Sequence, residues 1–129
     1  MQISIAVYGA PEQSQGAWSA YRFTCAALKQ GHNIYRVFFY HAGVWNGIDS
    51  SRPQQDEIAL PEHWQKLARD HQLDLVVCVS AAKRRGVHSA SEAARHNTGQ
   101  NLAAESELSG LGQYIDALQA SDRLITFGS

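Results

Sequence analysis

Hydrophobic residues along this chain fall into short, dense clusters and into longer, spaced patterns that alternate with them. The dense clusters are rich in β-branched and aromatic side chains, which is typical of strands buried on both faces. They lie at Ile3 to Tyr8, Asn33 to Tyr40, Leu73 to Val79 and Arg123 to Phe127. The pattern therefore predicts four strands.

The spaced patterns between the strands predict helices. Apolar residues recur every three or four positions in the first of them, and Gly31 follows as a stop. Pro61 suits the first turn of a second helix, and Ser89 begins a segment that resembles a capping box. The predicted helices are Ala17 to Gln30, Pro61 to His71, Ser89 to Arg95 and Gln113 to Ala120. His41 to Pro61 is interpreted as a long loop with room for a short helical turn.

Strands that alternate with helices predict an α/β fold, in which a parallel or mostly parallel sheet carries helices on both faces. A length of 129 residues suits one core, so residues 1–129 are expected to form a single domain. Functional groups in open sheets of this type collect outside the carboxyl ends of the strands. That rule selects Gly9 to Gly16, His41 to Asn46 and Cys78 to Arg85.

Composition narrows the class of protein. The chain is 44% hydrophobic and 18% charged, the balance of a globular protein. The apolar run from Leu75 to Val79 is too short to cross a membrane, and the N-terminus has no signal-peptide pattern, so we expect a cytoplasmic protein. The net charge is −1 and the longest basic run is Lys83-Arg84-Arg85, which disfavours direct nucleic-acid binding.

The sequence predicts no cofactor and no metal. The loop from Gly9 to Gly16 lacks the glycine patterns of nucleotide sites, and Glu12 would repel a phosphate. The six histidines show no zinc-binding spacing. A nucleotide- or flavin-binding module nevertheless remains one of the hypotheses for the function of this chain. The aromatic residues Phe38, Phe39, Tyr40 and Trp45 are interpreted as core with a buried subunit contact, in preference to a platform for base stacking.

Cys25 and Cys78 are both expected to be thiols, since a reducing compartment does not favour a bridge. Cys25 lies on the apolar stripe of the first helix and is predicted to point into the core. Cys78 ends a strand, and a helical turn with three cations, Lys83 to Arg85, follows it. Both features favour a reactive thiolate, whereas burial between sheet and helix would make Cys78 inert. These two interpretations remain open on physical grounds. We hypothesise that Arg84→Gln with Arg85→Gln raises the Cys78 pKa.

Five segments taken in order resemble the DsrE/TusD family, and the TusD type most closely. They are Val37 to Val44, Leu75 to Ala82, Arg84 to Val87, Leu108 to Gly112 and Asp122 to Ile125. The resemblance implies a DsrE-like fold and a sulfurtransferase subunit. The family cysteine, which falls on Cys78, would be the catalytic residue that carries sulfane sulfur as a persulfide. An accessible thiol suits such a carrier.

The resemblance also implies partners. TusD-type subunits assemble with TusB-like and TusC-like paralogues into a dimer of heterotrimers. Sulfur arrives from a TusA-like donor, passes to a TusE-like acceptor and ends in the 2-thiouridine of tRNA wobble positions. DsrE-type members serve sulfur oxidation instead. A non-catalytic scaffold subunit, in which Cys78 is core, is the hypothesis of a different class.

Overall fold

A computed structural model of the chain describes residues 1–50 and 59–128. Its centre is a sheet of five parallel strands in the order β4-β3-β2-β1-β5. The strands are β1 (Gln2–Val7), β2 (Asn33–Phe39), β3 (Leu75–Cys78), β4 (Ser106–Ser109) and β5 (Arg123–Phe127). The predicted α/β fold with a parallel sheet is therefore confirmed.

Helices connect the strands. They are α1 (Gln15–Lys29), α2 (Leu60–His71), α3 (Val79–Arg84), α4 (Ala90–His96) and α5 (Gly112–Ala120). The segment from His41 to Pro61 begins with a 3₁₀ helix at His41–Gly47, which confirms the expected helical turn. The part of the predicted loop at residues 51–58 lies outside the described residues. Ser89 caps α4 by accepting a hydrogen bond from the Glu92 N–H at 3.4 Å, as its capping-box pattern predicts.

Strand β4 was missing from the prediction. Its four residues, Ser106 to Ser109, include a single large apolar side chain, Leu108. Among the described residues the strand pairs with β3 only, at an edge of the sheet, and it is recognised by its backbone hydrogen bonds and not by a hydrophobic pattern. Polar edge strands of this length have little sequence signal.

The two faces of the sheet are covered by different helices. Phe39 packs edge-to-face on Trp64 of α2, with ring centroids 5.4 Å apart. Phe38, the preceding residue, points to the other face and meets Tyr114 of α5 at 5.5 Å. Helix α1 packs on β1, β2 and β5 and contacts α2. The prediction of helices on both faces is therefore confirmed, and α5 is the helix packed on the second face.

Helix α1 presents a different face to the sheet than the sequence predicted. Its buried residues are Ala17, Ala20, Thr24 and Ala27. Small side chains let the helix approach the strands closely, so the larger Tyr21 and Leu28 lie along its flank, partly buried. Cys25 is on that flank too and is partly exposed, so the prediction that it points into the core is wrong. Burial, then the hydrogen bond to Cys25, raises the pKa of Tyr21 to about 12.

Arg36 attaches α5 to the sheet. From β2 its guanidinium donates to Asp74 Oδ2 at 2.7 Å, to the Gln113 carbonyl at 2.8 Å and to Asp116 Oδ2 at 3.0 Å. Hydrogen bonds from Tyr35 and Arg36 lower the pKa of Asp116. Asp74 precedes β3, so one side chain joins two strands and the N-terminal half of α5. This contact attaches the N-terminal half of α5 to the sheet at the middle of β2 and the amino end of β3.

Within residues 1–50 and 59–128, the helices are all too short or too polar to span a bilayer.

Candidate functional site

Cys78 lies where a strand passes directly into a helix. It is the last residue of β3 and the N-cap of α3, with extended backbone angles of φ −62° and ψ 121°. The first residues of a helix have main-chain N–H groups without intrahelical partners, and these groups favour nearby negative charge. Cys78 is therefore at the carboxyl edge of the sheet beside a small group of main-chain donors.

The Cys78 thiol is buried. The residue is 1% exposed and belongs to the central hydrophobic cluster, whereas Cys25 is partly exposed. The expectation of an accessible thiol is therefore wrong for the isolated chain, because β3 has all four of its residues in the core. Sulfur exchange at Cys78 requires a movement or a partner that uncovers the sulfur.

The three cations after Cys78 are at the far end of α3. Lys83 and Arg84 lie in its last turn and are exposed. Arg85 follows the helix and donates from Nη1 to the Ala81 carbonyl at 3.2 Å. A helix of six residues is about 9 Å long, close to the Debye length of about 8–10 Å in physiological salt. The sequence predicts that the helix N-terminus and the cations act together on Cys78, but the structure places them at opposite ends of α3.

Aromatic side chains lie beside Cys78 on the α5 face. Phe38 pairs with Val76 and Phe39 with Val77, so the next residues, Tyr40 and Cys78, are level with each other. Alternation along the strands puts Phe38, Tyr40, Val76 and Cys78 on one face. The Tyr8 and Tyr40 rings are 5.7 Å apart, edge to face. Burial, then the phenol of Tyr114, raises the pKa of Tyr8, so its hydroxyl keeps its proton at neutral pH.

His41 continues this aromatic group into solvent. Its ring is stacked on Tyr40 with centroids 4.1 Å apart and meets Tyr8 edge to face at 5.1 Å. His41 has φ 51°, in the left-handed region that non-glycine residues rarely adopt. Strained residues of this kind are frequent at functional sites. The sequence rule had selected His41 to Asn46, but it did not single out Tyr8 or Tyr40.

Asn46 connects two of the segments that form this edge of the sheet. It is fully buried, and its Nδ2 donates to the carbonyls of Gly9 at 3.0 Å and Gly43 at 2.9 Å. One amide thus joins the loop after β1 to the 3₁₀ helix, which carries His41. The sequence did not reveal this role, because an asparagine in a loop is typically an exposed turn residue.

Asn46→Ala should lower the free energy of unfolding by about 1–3 kcal/mol, because two buried carbonyls lose a donor. The matched control is Asn33→Ala, whose amide is exposed and donates to Gln2 Oε1 at 2.7 Å. We expect the control to change the free energy by less than about 0.5 kcal/mol. Urea denaturation of both variants checks this difference, and equal losses would contradict the role of Asn46.

The loop from Gly9 to Gly16 leaves no space for a phosphate at the start of α1. Ser14 caps the helix by accepting from the Gly16 N–H at 3.0 Å. A Cβ built on Gly16 would be 1.9 Å from the carbonyl oxygen of Gly128, so the C-terminal backbone occupies this position. A cleft of about 420 Å³ elsewhere includes two acids and one cation in its lining, Asp49, Glu62 and Arg69, a balance that gives no net attraction for an anionic ligand. Neither place supports the nucleotide hypothesis.

Comparisons with known proteins agree with this geometry. The model of the DsrE/DsrF-like family matches residues 1–127. The sulfurtransferase TusD homolog of Pseudomonas aeruginosa is 47% identical over 129 residues, covering 99% of this chain and 98% of that protein. The sulfurtransferase TusD of Photorhabdus laumondii is 41% identical over 122 residues, covering 94% and 93%. A relative from Allochromatium vinosum that carries the DsrE name is 43% identical over 129 residues, covering 99% of each chain.

A solved structure supports the fold independently. The ychN protein from E. coli superposes with a TM-score of 0.77 at 20% identity, covering 98% of this chain and 100% of that one. Its similarity shows the fold alone. The family match and the relatives both extend over nearly the whole length, and the names of the TusD relatives indicate sulfurtransferase activity. The chain therefore belongs to the DsrE/DsrF-like family.

Proposed function

We propose that this chain is a sulfurtransferase subunit that carries sulfane sulfur as a persulfide on Cys78. The observation that supports this most is the position of Cys78, which ends β3 at the carboxyl edge of the sheet and begins α3. Open parallel sheets hold their reactive groups at this edge. The sulfurtransferase names of relatives at 41–47% identity support the same activity.

The transfer needs a single thiol. The Cys78 thiolate attacks the outer sulfur of a donor persulfide, the donor's S–S bond breaks, and the donor thiolate leaves with that electron pair. In the second step an acceptor thiolate attacks the outer sulfur held on Cys78. The Cys78 thiolate then leaves, the acceptor becomes the persulfide, and no net oxidation occurs.

The wider role is proposed from the resemblance of this chain to TusD-type subunits. We propose that the subunit works in the cytoplasm with TusB-like and TusC-like paralogues as a dimer of heterotrimers. It would receive sulfur from a TusA-like donor and pass it to a TusE-like acceptor for 2-thiouridine formation at tRNA wobble positions. Sulfur oxidation is the alternative pathway that the resemblance to DsrE-type members implies, and a relative that carries the DsrE name is 43% identical.

A scaffold subunit is the competing function, and the 1% exposure of Cys78 is the observation that favours it. Measuring cyanide-labile sulfur after incubation with polysulfide and desalting separates the two. A carrier should hold about one labile sulfur per chain, unchanged in Cys25→Ser and lost in Cys78→Ala. Equal labile sulfur in wild type and Cys78→Ala would exclude Cys78 as the carrier.

A further inference from the structure

The segment that follows Cys78 has a charge opposite to that of the rest of the chain. Residues 79–101 contain four of the eleven Lys and Arg residues but one of the twelve Asp and Glu residues. The segment therefore has a formal charge of +3 in a chain whose net charge is −1, so the remaining residues sum to −4. This asymmetry begins directly after Cys78.

Three of the four cations of this segment face solvent, and the fourth, Arg85, is half-buried. Lys83, Arg84 and Arg95 are exposed, and they lie in the last turns of α3 and α4. The single acid, Glu92, has a side chain that is 14% exposed and lies 4.0 Å from the ring of His96. The carboxylate is thus turned inward while these three cations are exposed. We define Lys83 and Arg84, the two exposed cations in the last turn of α3, as the basic surface.

We propose that the basic surface is the docking site for an acidic face of the protein that exchanges sulfur with Cys78. This inference rests on the proposed function and names the chemistry of the partner. A standard interface covers about 800 Å² on each partner, equivalent to a disc of about 16 Å radius. Since α3 is about 9 Å long, a protein centred on Cys78 also covers Lys83 and Arg84. Carboxylates around the partner's cysteine would then guide docking.

A protein partner fits these observations better than a nucleic acid. Double-stranded DNA and RNA carry phosphates at high density, so the −4 charge on the rest of the chain would repel them. A protein face with a few carboxylates needs only a local cluster of cations. The distance along α3 also indicates that the cations act on the partner more than on the sulfur of Cys78, because solvent screens exposed charges at that separation.

The test uses persulfide-loaded full-length protein and three cysteine peptides of equal length, rich in Glu, Gln or Lys. The rate of sulfur transfer to each peptide is divided by the peptide's rate with a small-molecule persulfide, which removes differences in thiol reactivity. At low salt we expect the Glu peptide to be about tenfold faster than the Lys peptide. In K83Q/R84Q, or in high salt, this ratio should fall below about threefold.

The matched control is K29Q/R123Q, which removes the same charge at the amino edge of the sheet, where α1 ends and β5 begins. It should keep the wild-type ratio. Equal normalised transfer rates to the three peptides from loaded protein would overturn the proposal that partners dock on the basic surface. They would leave the carrier function intact. Failure to load Cys78 would overturn both. Tight binding of a fluorescent RNA that K83Q/R84Q abolishes, with no preference among peptides, would assign the surface to nucleic acid instead.

Discussion

Cys78→Ser should reduce sulfur transfer from a small persulfide to an acceptor thiol to the uncatalysed background. The serine hydroxyl cannot form the S–S bond that both steps require. Cys25→Ser should keep the wild-type rate, because Cys25 lies on α1, which packs with α2 on the sheet face opposite to the one that Cys78 shares with Phe38. The measurement is the initial rate of acceptor persulfide formation at equal protein concentration.

The burial of Cys78 makes a stability control necessary. A hydroxyl in place of a sulfur that is 1% exposed should lower the free energy of unfolding by about 1–3 kcal/mol. Cys78→Ala removes the sulfur without adding a polar group. It should lose sulfur transfer to the same extent as Cys78→Ser, but its free energy of unfolding should not include the cost of burying a hydroxyl. Thermal unfolding of both variants separates loss of chemistry from loss of fold. A Cys78→Ala protein that is folded and still transfers sulfur at the wild-type rate would contradict the assignment.

Gly43→Ala should prevent stable folding, or lower the free energy of unfolding by more than about 3 kcal/mol. A Cβ at this position would be 2.0 Å from the Val7 carbonyl oxygen and 2.8 Å from its carbon. Both are backbone atoms of β1, which pairs with β2 on one side and β5 on the other, so neither can move without displacing that strand. The 3₁₀ helix that carries His41 would be pushed away from the sheet.

The control for Gly43 is Gly99→Ala. No heavy atom of the described residues lies within 4 Å of a Cβ at Gly99, and its φ is outside the left-handed region. We expect this control to be neutral or to stabilise the protein by up to about 1 kcal/mol, because alanine restricts the unfolded chain. Urea midpoints of the two variants provide the measurement. A Gly43→Ala protein as stable as Gly99→Ala would show that β1 and the 3₁₀ helix are not packed as described.

The sequence was sufficient for the parts of the fold that depend on continuous hydrophobic runs. Leu75 to Cys78 is buried on both sides, so its apolar character predicted β3 and placed Cys78 at its end. Strand β4 depends on backbone pairing at an edge, and its polar residues gave no such signal. The buried face of α1 was misjudged because its alanines and Thr24 fit closer to the sheet than Tyr21 does.

The position of the candidate site could be predicted from the sequence, but the burial of Cys78 and its distance from the cations could not. The rule about carboxyl ends of strands selected Cys78 and His41 from the sequence. The burial of Cys78 depends on tertiary packing around β3, which lies between β2 and β4 in the sheet. The distance between Cys78 and the exposed cations depends on where α3 begins and ends. Such tertiary features are not encoded in any local pattern.

Peptide-level mass spectrometry of protein exposed to a persulfide donor and then alkylated shows which cysteine carries the sulfur. We expect one additional sulfur on the peptide that contains Cys78. It should be removed by dithiothreitol and retained when Cys25 is replaced by serine. Additional sulfur confined to the peptide with Cys25, or none on the Cys78 peptide in the presence of the paralogous subunits, would contradict the claim that Cys78 carries sulfur.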